Sequence, residues 1–124
     1  VGAINVLERA KEFFAGSRIS DGKKLFNGCA ANCYYAMFWM TISAMAHAGF
    51  KQQKWSHDGL RKSFNQELIL KQRVYPPKLG SWLLEAYEER LRAHYKEGAG
   101  IKRTKRLMIH AREFMAEVEE VIKR

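Results

Sequence analysis

Apolar residues recur along most of the chain at the three- and four-residue spacing of one helix face, and no stretch keeps the strict alternation of a half-buried strand. Val6, Leu7, Ala10, Phe13 and Phe14 share a face, with Glu8, Arg9, Lys11 and Glu12 opposite, and Gly16-Ser17 is expected to end this first helix. After a short connection to Gly22, a second helix is expected from about Lys23 to Ala48, closed by Gly49 in the position a helix C-terminus favours. A third helix is expected to open on Ser56 as N-cap, with Asp58 at the positive end of the dipole and Leu60, Phe64 and Leu68 inward. Gln72–Gly80 holds both prolines, Pro76 and Pro77, and reads as a loop. A fourth helix is expected over about Ser81–Tyr95, broken by Glu97-Gly98-Ala99-Gly100, and a fifth from about Lys102 to the end. On this last helix Leu107, Ala111, Phe114, Val118 and Val121 form one stripe, with Met108, Met115 and Ile122 beside it. The pattern predicts an all-α fold, an antiparallel up-and-down bundle of four to five helices in one domain over residues 1–124.

Composition narrows this picture. A chain of 124 residues, 47% apolar, fits one domain with a real core, which excludes a disordered polycation. From Leu25 to Phe50 no charged side chain occurs, long enough for a membrane span. Asn27, Asn32, Thr41, Ser43 and His47, together with Gly28, Ala30, Ala31, Ala36 and Ala44, mark it instead as the central helix of a soluble bundle. Cys29 and Cys33, four residues apart, share a helix face and read as core; two such ligands make no metal site, and no cofactor is implied. Val1–Glu8 lacks the pattern of a secretory signal, so a cytoplasmic location and no membrane partner are expected.

Charge adds a function class. Lys+Arg number 22 against 13 Asp+Glu, a formal net charge of +9. The excess lies in residues 51–80 and 101–124, the latter opening on Lys102-Arg103-Thr104-Lys105-Arg106. Such a surface attracts phosphate backbones through counterion release, or docks an acidic protein.

Several side chains are suited to chemistry at such a surface. Leu83, Tyr87, Arg90 and His94 follow one helical face, so an apolar stripe turns polar at the helix end, next to Tyr95 and the basic run. An arginine clamps phosphate bidentately while a histidine moves protons near neutral pH. Arg90 and His94 are thus the catalytic candidates, with Arg92, Tyr95, Lys102, Arg103, Lys105 and Arg106 as candidate RNA or nucleotide contacts. Three further residues are secondary candidates. His57 shares a face with Leu60 and Phe64 and also reads as a packed histidine. His110 follows Arg103 and Arg106 on one face, either a phosphate grip or a solvated basic surface. Tyr35 belongs to the aromatic cluster Tyr34, Tyr35, Phe38 and Trp39, most of it core, from which one phenol can reach a pocket or an interface.

Four strings in order resemble the HEPN family of small bacterial and archaeal helical-bundle proteins, particularly its short stand-alone members. They are Asn32-Cys33-Tyr34-Tyr35-Ala36-Met37-Phe38, Ser56-His57-Asp58-Gly59-Leu60, Glu89-Arg90-Leu91-Arg92-Ala93-His94-Tyr95 and Ala111-Arg112-Glu113-Phe114. The resemblance implies an antiparallel bundle that dimerises and works beside a minimal nucleotidyltransferase as a toxin–antitoxin pair. Some members are metal-independent ribonucleases with an arginine, a polar residue directly after it, and four to six residues between that arginine and a histidine. Here three residues separate Arg90 from His94 and Leu91 follows the arginine, whereas Arg103, Thr104 and His110 match that spacing formally. Two expectations follow: a toxin-like component that binds RNA or a nucleotide and cleaves without metal, or a non-catalytic module whose basic face docks an acidic nucleotidyltransferase. A homodimer is expected on the width of the apolar stripe of the fifth helix.

Overall fold

A computed structural model describes residues 3–95 and 97–124, with side chains from Val6 onward. It contains helices α1 (Ala3–Gly22), α2 (Phe26–His47), α3 (His57–Ser63, running directly into a π-helical stretch, Phe64–Lys71), α4 (Pro77–Ala93) and α5 (Ile101–Ile122). No strand occurs among the described residues, so the chain is an all-α bundle. The uncharged α2 is its axis and packs against every other helix. Cys29, Ala30, Cys33, Ala36, Met37, Met40 and Met45 on α2 are completely buried, and the small residues among them let the neighbours approach closely. No described helix is long and apolar enough to cross a membrane.

Several boundaries differ from the sequence expectation, each for a local reason. Helix α1 runs on past Gly16 to Gly22, because Gly16 is a contact point rather than a stop. A Cβ there would lie 3.2 Å from the Asn32 amide nitrogen on α2. Ser17 is buried at the same crossing, its hydroxyl donating to the Phe14 carbonyl at 2.6 Å. The turn into α2 is made instead by Lys24, whose φ is 60°. At the far end of α2, Gly49 closes the helix as expected with φ 94°, and the Phe50 N–H donates to the Met45 carbonyl. Ser56 caps α3 as expected, accepting from the Gly59 N–H at 3.0 Å.

The expected loop from Gln72 to Gly80 is shorter than the prolines suggested. Pro77 is the first residue of α4, where a missing N–H costs nothing. Gly80 is buried where α4 crosses the π-helical stretch, and a Cβ on it would collide with the Asn65 side chain. On α5 the expected stripe faces inward: Leu107, Ala111, Phe114 and Val118 are fully buried. Met115 and Ile122 are buried as well, while Met108 and Val121 are half-buried against the same core.

Candidate functional site

Three helices bring their aromatic and basic groups together at one face of the bundle. Helix α2 supplies Tyr34 and Tyr35, α3 supplies His57 at its first position, and α4 supplies Tyr87 and Arg90, three residues apart and so on one side of that helix. The Tyr34, His57 and Tyr87 rings lie with centroids 5.4–5.6 Å apart. Phe38 completes the nest, 5.2 Å from the His57 ring.

Two hydrogen-bonded pairs order this nest. The Tyr34 hydroxyl bonds His57 Nδ1. Burial pushes the Tyr34 phenol well above its usual range, so it keeps its proton and donates. Burial and then the Arg90 charge hold the His57 imidazole below its usual value, against the opposing pull of Asp58. A neutral His57 accepting at Nδ1 carries its proton on Nε2. In the second pair, Arg90 Nε and Nη2 both donate to the Tyr35 hydroxyl, at 3.2 and 2.9 Å. The guanidinium also lies 5.6 and 5.2 Å from the Tyr34 and Tyr35 ring centroids. Arg90 is half-buried, and no carboxylate among the described residues pairs with it.

The depressed His57 has a consequence for stability. Its folded form titrates below the unfolded value near 6.5, so the unfolded chain binds more protons between the two. Stability is therefore complete above about pH 6.5 and falls as the pH drops below it. His57→Gln should flatten the change in urea midpoint between pH 7 and 5.5. A parent midpoint that rises on acidification over that range would contradict the assignment.

The other sequence candidates occupy a second region, the junction of α4 with α5. His94 is the exposed C-cap residue of α4, and Tyr95 is 65% exposed beside it. Although Arg90 and His94 share a helical face, the Arg90 guanidinium turns to α2. Lys102 is exposed at the start of α5. The remaining cations of the run are engaged within the chain: Arg103 with Glu89 at 3.1 Å, Lys105 with Asp21, and Arg106 with Glu85 at 3.0 Å. These pairs are partly exposed and mute the local field without hiding the cations.

His110 departs from the expected solvated basic face. Its ring stacks on Trp82 at 4.3 Å and 10°, its Nδ1 lies 3.5 Å from a Glu85 oxygen, and its side chain is 21% exposed. The Trp82 indole covers a surface that helical spacing alone leaves open.

Sequence reasoning passed over Glu89, which holds this junction together. Its carboxylate is 1% exposed and accepts from Arg92 Nη1 at 2.8 Å, Arg103 Nε at 3.1 Å and the Gly100 N–H at 3.0 Å. Asn27 on α2 adds a tie, its side-chain oxygen accepting from the Ala99 N–H at 2.8 Å. The available signal was its register: Glu89 follows the buried Ala86 by three residues, on the inward side of α4. The chain matches no protein-family model and no curated protein sequence.

Proposed function

We propose that this protein is a HEPN-type helical bundle that binds the phosphate of RNA or of a nucleotide at the Tyr34–Tyr35–His57–Arg90 nest. In this reading it is the toxin-like component of a two-gene module with a minimal nucleotidyltransferase, and it works as a homodimer. The observation that carries the proposal is Arg90. A half-buried guanidinium normally has a carboxylate to offset its desolvation, and this one has two phenol faces and one phenol oxygen. An anionic ligand supplies the missing countercharge, and a phosphate oxygen pair fits the fork of the guanidinium. The excess of +9 supplies long-range attraction for the same ligand. The experiment is a titration of labelled single-stranded RNA by fluorescence anisotropy, parent against Arg90→Gln.

A second reading adds cleavage to binding, with the exposed imidazole of His94, one turn beyond Arg90, as the base. A base must offer a free ring nitrogen to the 2′-hydroxyl proton, while an arginine stabilises the charge of the phosphorane. His57 has no such nitrogen, its Nδ1 bound to Tyr34 and its Nε2 protonated. Incubation of mixed RNA with purified protein separates the readings. Cleavage that survives EDTA and vanishes in Arg90→Gln supports a nuclease, and intact RNA restricts the protein to binding.

A further inference from the structure

On the other side of Phe38 from the nest, a cavity of about 700 Å³ opens between α1, α2 and the connection from α2 to α3. That volume suits a small organic ligand. Its walls are rich in aromatic groups: Trp39 from α2, and Phe50 and Trp55 from the connection. Its charged lining among the described residues is entirely cationic, with Arg9, Lys51 and Lys54 and no carboxylate. The Arg9 guanidinium lies 4.5 Å from the Trp39 ring centroid, which makes a flat, positively charged layer. Lys51 and Lys54 are exposed, and no carboxylate among the described residues pairs with either.

Each half of this lining excludes a simpler ligand. A bare anion has no use for two indoles, and an apolar ligand leaves three cations unmatched. A molecule that is planar and aromatic at one end and anionic at the other satisfies both halves. We propose that the cavity binds a nucleotide, its base against Trp39 and Trp55 and its phosphate on Lys51 and Lys54. Bases stack on indoles and on guanidinium planes irrespective of their identity, so the site is tolerant of sequence. Gln52 and Gln53 line the same cavity and offer amides to a base edge. The inference stands on this cavity alone and does not depend on the role given to Arg90.

The test uses the full chain and its tryptophan emission. Two of the three tryptophans line the cavity, and the third, Trp82, stacks on His110 elsewhere. AMP, a hexamer of oligoadenylate RNA, ribose 5-phosphate and a polyglutamate peptide are titrated in turn. Saturable quenching by AMP or by the hexamer is expected, with AMP as tight as the hexamer for a free-nucleotide site and the hexamer alone for a site within a strand. Trp55→Leu should weaken the quenching ligand about 5- to 150-fold. Lys51→Gln combined with Lys54→Gln, at two exposed positions that leave the fold intact, should weaken it as well. Arg112→Gln, at an exposed position on α5 outside the cavity lining, should leave the quenching by AMP unchanged, which separates this site from general attraction by the net charge. Ribose 5-phosphate binding as tightly as AMP, polyglutamate displacing it, or full affinity in the double lysine variant would overturn the assignment.

Discussion

Replacing Glu89 with alanine should lower the unfolding free energy by about 2–3 kcal/mol, read as a fall in the urea midpoint at unchanged slope. The carboxylate is 1% exposed and takes donors from α4, from the first turn of α5 and from Gly100, the N-cap residue of α5. A negative charge there also favours the positive end of the α5 dipole. Its removal leaves the Gly100 N–H without its acceptor and two arginines without their anion. Those arginine side chains are 39% and 46% exposed and can turn to water, so the loss stays below the 3–5 kcal/mol of a fully buried pair. Glu89→Gln keeps the shape and one acceptor and should lose about half as much. A midpoint for Glu89→Ala within error of the parent would show that Asn27 and the apolar contacts hold the junction without it.

The helices were legible because burial in this chain follows periodicity. Leu107, Ala111, Phe114 and Val118 fall where a 3.6-residue repeat puts them, and Ser56 and Gly49 act as the cap residues they resemble. What escaped depends on contacts between distant segments. Gly16 reads as a terminator until Asn32 is placed against it, and Pro77 reads as a loop until it becomes the first residue of α4. The π-helical stretch leaves no mark on the apolar pattern, since Phe64, Leu68 and Ile69 bury equally well from an α-helix.

The candidate site was legible in its parts and not in its pairings. Arg90, Tyr35 and His57 were each singled out, yet spacing along α4 joined Arg90 to His94. The structure turns its guanidinium toward α2, 55 residues away in sequence. His110 and the basic run of α5 show the same limit. Their neighbours Trp82, Glu85 and Asp21 lie on other helices, and only packing reveals how much of that charge is already answered.

Arg90→Gln should weaken the binding of single-stranded RNA roughly 10- to 150-fold, the range of one charge-assisted hydrogen-bonded contact. The variant also removes one phosphate contact from the counterion balance, so its log–log salt slope should fall by about 0.7. Arg90→Lys keeps the charge and loses the fork, and should retain the parent slope with an intermediate affinity. Arg112→Gln, at an exposed position on α5, is the control for charge alone. It should lose little more than the shared long-range attraction. The decisive measurement is the anisotropy titration of these four proteins at two salt concentrations, with helical circular dichroism matched beforehand. A large loss confined to Arg90→Gln, with its reduced slope, is the expected result. Equal affinities for parent and Arg90→Gln, or equal losses in Arg90→Gln and Arg112→Gln, would contradict a phosphate site at the nest.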